Sequence, residues 1–231
     1  MTYIRSNRQD ALKLLALIFM LIDHAGLYLF PEALWMRVAG RFAVPIFTFY
    51  AGYNFKGSIR HLIWILGIIL VLATKVFFAA TFSNILISIA VGQLYLKHFG
   101  DRILNDNWMF FRHFLAMLIF TPFTFVFMDY GTLAIAFMQI GYLLTRKEKG
   151  GYLLILSAIC LMIFTQLIYD FEEILPFIWM IFFISISVLL LYRANHKEPI
   201  GLNINFISRN MLYIYFVTTL GLMISSYCVL A

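Results

Sequence analysis

Apolar stretches of roughly 17–25 residues recur from one end of the sequence to the other, separated by short polar breaks. Each is about long enough to cross a hydrocarbon core of ~30 Å as a helix. In such a core every backbone N–H and C=O must find its partner within the chain, which leaves helices and closed barrels. A barrel shows alternation in segments of about ten residues, and the sequence lacks it. The expected class is all-α, a polytopic integral membrane protein with one transmembrane domain over residues 1–231. Composition agrees. Charged residues make up 12% of the chain and hydrophobic ones 63%, against about 25% charged in an ordinary soluble domain.

Nine spans are expected, near 11–29, 36–55, 62–81, 83–97, 109–127, 130–145, 151–169, 174–192 and 207–230. The stretch at 83–97 is the shortest, so a half-helix or re-entrant segment is open there. No small-residue cleavage site follows the first apolar run, so no separate signal peptide is expected. Cys160 and Cys228 lie in apolar runs and read as small hydrophobes.

Orientation follows from the basic residues. Arg5, Arg8 and Lys13 lie at the start of the first span, and Lys56 and Arg60 follow the second. Lys97, Arg102 and Arg112 surround the fourth connection. Arg146, Lys147 and Lys149 follow the sixth span, and Arg193, Lys197 and Arg209 follow the eighth. A nine-span alternation puts these 14 of the 17 basic residues on one side. That side should be cytoplasmic. Glu32, Asp129, Asp170, Glu172 and Glu173 fall on the other. The N-terminus is then inside and the C-terminus outside. The basic pI of about 9.3 reflects this bias and does not call for nucleic acid.

Arg37, Arg41 and Lys75 break the pattern, because they lie in or near the outer half of the membrane. Charges at that depth cost ~2.5–3.5 kcal/mol each and usually face a protein interior or a water-filled cavity. Asp23 joins them inside the first span, next to His24. At 1.5 Å per residue, His24 lies ~20 Å along its helix from Ala11. Arg37 and Arg41 are four apart and share a face of a continuous helix. Asp23 and His24 point about 100° apart, so no bond between them is expected. One is placed to face Arg41 and the other a cavity. Bland readings stand beside these. Asp23 with Arg41 can be a structural ion pair, Arg37 can snorkel to the interface, and His24 can be a helix–helix hydrogen bond. Lys75 can reach the outer headgroups.

The stretch Lys13 to His24, with Ala16, Met20 and Asp23, is followed by Gly40, Arg41, Ala43, Pro45 and Phe47. Together these resemble the opening motif of the TraX family of membrane acetyltransferases, Lys-x-x-Ala-x-x-x-Met-x-x-Asp-His followed by Gly-Arg-x-Ala-x-Pro-Leu/Ile-Phe. Weaker matches follow at Asn84-Ile85-Leu86 and Tyr130-Gly131. The resemblance implies transfer of an acetyl group from cytoplasmic acetyl-CoA to an acceptor such as a pilin N-terminal amine. It is also similar, distantly, to multi-span enzymes that acylate extracytoplasmic glycans or amines. It implies a bacterial cytoplasmic (inner) membrane location, with no metal.

On that reading His24 is the general base, Arg41 stabilises oxyanion charge or holds Asp23, and Asp23 compensates the arginine. Lys56, Arg60, Arg146 and Lys147 are candidates for the CoA phosphates, with plain topology signals as their bland reading. Arg37, Lys75, Asn84 and Tyr130 are candidates on the acceptor side. In one position the sequence departs from the family. Thr219 stands where the last-span segment carries histidine, and a threonine hydroxyl is no base near pH 7. A transporter with a His/Asp proton relay and a non-catalytic assembly factor are the alternatives.

Overall fold

A computed structural model describes residues 7–78, 84–124, 128, 130–146, 174–193 and 204–230. Among these residues the chain is helical throughout, without strands. The helices are α1 (Arg8–Tyr28), α2 (Leu34–Gly40), α3 (Ala43–Tyr53), α4 (His61–Phe78), α5 (Ile85–Asn105), α6 (Asn107–Thr124), α7 (Gly131–Arg146), α8 (Ile174–Arg193) and α9 (Asn205–Leu230). The span expected at 151–169 lies outside the described residues. Three described helices are long and apolar enough to cross a membrane: Arg8–Tyr28, His61–Phe78 and Phe206–Cys228. Their surroundings suit lipid. Ile65, Ile68, Leu72 and Val76 of α4 are all exposed, a patch that water would penalise.

Two expectations about helix bounds need correction. The span at 36–55 is two helices, α2 and α3, with Arg41 and Phe42 in the turn between them. Pro45 has no N–H to return to the carbonyl of Arg41, and its ring crowds that carbonyl. Gly40 weakens the helix just before this point. The stretch at 83–97 is not short either. It continues through the polar residues His98, Asp101 and Arg102 to Asn105, giving 21 residues.

The helices group into two compact units, and the boundary falls inside α3. The first contains Met1–Phe47 and Phe171–Ala231, the second Thr48–Asp170. In the first unit α1 packs against α2 and α9, and α2 packs against α8. Asn7 starts α1 with a reciprocal cap. Its side chain accepts from the Asp10 N–H (3.1 Å), and its own N–H donates to the Asp10 carboxylate (3.0 Å). The second Asp10 oxygen accepts from the Ser208 hydroxyl at 2.6 Å, tying α1 to the start of α9. Further along both helices His24 meets Tyr215. The two contacts advance in the same sense, so α1 and α9 run parallel.

In the second unit α7 is the central helix, buried without interruption from Leu133 to Leu143. Small residues bring its neighbours close. A Cβ on Gly52 of α3 would collide with the Met138 backbone, and one on Gly141 with the Phe49 carbonyl. The backbones of α3 and α7 therefore touch, the small-residue packing common between membrane helices. Gly92 of α5 receives the Met138 thioether. Gln139, fully buried on α7, donates to the Phe110 carbonyl of α6 at 3.2 Å.

Candidate functional site

Asp23, His24 and Arg37 come together toward the C-terminal end of α1. Asp23 is buried at 6% exposure. Its carboxylate accepts from Arg37 at 2.8 Å, and the same arginine nitrogen donates to the Asp23 carbonyl at 3.3 Å. The expected pairing of Asp23 with Arg41 is therefore corrected to Arg37, and Arg37 does not simply snorkel. The reason is packing. α2 lies so close that a Cβ on Gly40 would overlap the Asp23 side chain, and one on Gly26 would press on Met36. Arg37, three residues before Gly40, shares the face that meets α1. Arg41 falls at the C-cap, where the chain leaves the helix and the i, i+4 argument ends. The other Asp23 oxygen is buried without a hydrogen-bond partner among the described residues.

His24 is oriented by its own helix. Its Nδ1 lies 2.9 Å from the Met20 carbonyl one turn back. A carbonyl can only accept, so Nδ1 carries the hydrogen. In the neutral ring Nε2 then carries the lone pair. That tautomer is assigned from the bond, as heavy-atom positions require. The Asp23 carboxylate lies 3.7 Å from Nδ1, too long for a hydrogen bond, as the helix geometry leads one to expect. Nε2 faces the Tyr215 hydroxyl of α9 at 3.4 Å, and the two rings meet edge to face at 5.4 Å. Tyr215 is buried. One turn on, Thr219 is buried at 1% exposure, and its hydroxyl finds no partner among the described residues.

This arrangement has the parts of a proton-transfer site: an imidazole with its lone pair at Nε2, a neighbouring hydroxyl, and a carboxylate paired with a guanidinium. Sequence reasoning singled out Asp23 and His24, and it gave Tyr215, in the last-span segment Tyr215 to Leu220, no role at the site. A tyrosine in an apolar run gives no local signal of its partner, and this one lies 191 residues away.

The family model described as TraX protein matches residues 8–222. The chain belongs to the TraX family. It is 37% identical over 224 residues to an uncharacterized protein of Rickettsia prowazekii (strain Madrid E), covering 91% of this chain and 89% of that one. It is 30% identical over 166 residues to Protein TraX of Escherichia coli, covering 68% of this chain and 63% of that protein. No solved structure matches the chain.

The remaining candidates lie in the second unit, and several of them have structural partners. Asn84 caps α5, accepting from the Leu86 and Ile87 N–H groups at 3.0 and 3.4 Å. Its amide donates to the Gly67 carbonyl of α4 at 2.9 Å. Tyr130 is buried just before α7 with φ of 63°, a left-handed conformation uncommon outside glycine. Lys75 is exposed near the end of α4. Arg146 donates to the Phe55 carbonyl at 2.9 Å and the Tyr142 carbonyl at 3.3 Å, and it stacks on the Tyr142 ring. Its guanidinium closes the end of α3 onto α7. Lys56 and Arg60 are exposed; the Arg60 backbone N–H donates to Gln93 at 3.1 Å. Lys147 lies outside the described residues. Among those residues no cluster of His, Cys, Asp or Glu could hold a metal ion.

Proposed function

We propose that the chain is a membrane-embedded acetyltransferase, taking acetyl from cytoplasmic acetyl-CoA and delivering it to an amine or hydroxyl acceptor. The candidates are a pilin-like N-terminus and an extracytoplasmic glycan. The observation that carries the reading is the orientation of His24, whose Nδ1 is committed to the Met20 carbonyl so that Nε2 is the basic atom. Family membership supports the reaction class.

In the proposed reaction His24 Nε2 removes a proton as the acceptor nitrogen or oxygen attacks the thioester carbonyl. The new C–N or C–O bond forms, the tetrahedral oxyanion collapses, the C–S bond breaks, and the CoA thiolate takes up the proton. Arg41, in the turn between α2 and α3, supplies positive charge to the oxyanion. Arg37 pairs with the Asp23 carboxylate at 2.8 Å and supplies its counter-charge. The Tyr215 hydroxyl holds the imidazole edge until the acceptor displaces it. The exposed Lys56 and Arg60 are assigned to the CoA phosphates.

Purified protein in detergent should consume acetyl-CoA when supplied with a peptide amine. His24→Ala and Arg41→Ala should each lower turnover by about 10²–10³-fold. Unchanged thioester consumption in both folded variants sinks the mechanism. The break between α2 and α3 favours a second reading, because interrupted helices frame the sites of many transporters. Proton-coupled uptake into vesicles, with no acetyl-CoA consumption, would select it.

A further inference from the structure

The loop between α1 and α2 presents a surface that water does not suit. Phe30, Leu34 and Trp35 are exposed, Trp35 at 65%. Pro31 and Glu32 are exposed beside them, and Glu32 is the one charged residue from Leu29 to Trp35. Large apolar side chains set so close together and left unpacked mark a contact with something other than water.

The backbone of the loop asks little of water either. The Leu29 and Phe30 N–H groups both donate to the Ala25 carbonyl, at 2.9 and 3.1 Å, and close the end of α1. The Ala33 N–H donates to the Phe30 carbonyl at 2.9 Å, the Leu34 N–H to the Glu32 carbonyl at 3.0 Å, and the Met36 N–H to the Ala33 carbonyl at 2.9 Å. Pro31 has no N–H to satisfy. These donors find partners inside the loop, as poorly hydrated surroundings require.

The level of the loop follows from α1. That helix is long and apolar enough to cross a membrane. Its 21 residues extend ~31 Å, about the thickness of the hydrocarbon core. Tyr28, its last residue, therefore stands where hydrocarbon gives way to headgroups, and the loop continues from there. Tryptophan concentrates in this layer because its ring is apolar and its N–H is polar. Glu32 keeps its charge among the headgroups.

We propose that the α1–α2 loop, from Phe30 to Trp35, is seated in the headgroup layer of the bilayer, with the lipid surface as its partner. Asp23 and His24 lie five and four residues before Tyr28, so they are ~6–8 Å along the helix axis from that layer. A group held at the membrane surface thus has a short way to His24. The proposal rests on the membrane reading of α1 and not on acetyl transfer.

Full-length protein in phosphatidylcholine vesicles tests it by tryptophan fluorescence. The chain has four tryptophans, and the difference between wild type and Trp35→Phe isolates Trp35. The lipid carries a nitroxide either near the headgroup end of its acyl chain or near the tail. Iodide is added, in separate samples, on both sides of the membrane. The shallow nitroxide should quench the Trp35 signal at least about twofold more than the deep one, and iodide should quench it at least about threefold less than it quenches free indole. Stronger quenching by the deep nitroxide would place the loop in hydrocarbon. Free access to iodide would place it in water. Protection from every quencher would mean that a protein partner or a second copy covers it. Each of these three results overturns the proposal. If Trp35→Phe does not fold, Phe30→Cys in a chain with Cys160→Ser and Cys228→Ser carries a bimane label instead, read with the same quenchers and the same outcomes.

Discussion

His24 and His113 are each held by one bond at Nδ1, and the partners differ in kind. At His24 the partner is a backbone carbonyl, so Nδ1 donates and Nε2 is left basic. At His113 of α6 the partner is the Tyr95 hydroxyl of α5 at 2.7 Å, which can either donate or accept. A carbonyl fixes the tautomer of the first ring, and a hydroxyl admits both tautomers of the second. Their surroundings differ as well. His24 lies beside a carboxylate, and the His113 ring packs on Phe99 at 5.2 Å.

The comparison can be broken in several ways. The largest effect is expected at the ion pair behind His24. Arg37→Ala leaves Asp23 buried without its counter-charge and should destabilise the protein by about 3–5 kcal/mol. Thermal unfolding in detergent reads it, and an unchanged midpoint would mean that the ion pair does not hold α2 to α1. Next, His24→Gln should remove nearly all acetyl-CoA turnover, by about 10²–10³-fold, whereas His113→Gln should leave it within a few-fold. A larger loss at His113 would move the base from His24 to that ring. Smaller still, Gly141→Ala should cost about 1–3 kcal/mol, because its methyl meets the α3 backbone. Gly221→Ala, with open space around it, should be neutral or stabilising. Equal midpoints for the two would contradict the close α3–α7 contact. Smallest of all, Tyr95→Phe removes the hydroxyl partner of His113 Nδ1 and should leave stability within about 1.5 kcal/mol. The ¹⁵N shifts of the His113 ring should move, while those of His24 should stay put.

Much of the fold was legible because lipid imposes a strong rule. Apolar run length located α1, α4, α8 and α9 nearly as they stand. The break in the second span was written in the sequence too, as Gly40 and Pro45. A hydropathy pattern does not register it, because both residues are apolar. That one omission misassigned the partner of Asp23, since the face shared by Arg37 and Arg41 exists only on an unbroken helix. Arg146 shows a different limit. As a cation near a span end it reads as a topology signal, and only the folded chain reveals that it holds the Phe55 carbonyl. The roles of Tyr215 and Tyr95 were not legible for a third reason. Their roles lie in which atom they face across a helix pair, and no periodicity encodes that.

The glycine contact between α3 and α7 also fixes an order of events during synthesis. Gly52 and Gly141 are 89 positions apart (141 − 52). At about 5–20 residues per second, α3 leaves the ribosome roughly 4–18 seconds before the helix against which it must rest. Throughout that interval its glycine face has no native surface to meet. The nascent chain must be accommodated by lipid or by the insertion machinery until α7 arrives. A stall placed between the two helices should therefore expose this stretch to protease or chaperone, and synthesis past residue 146 should close it.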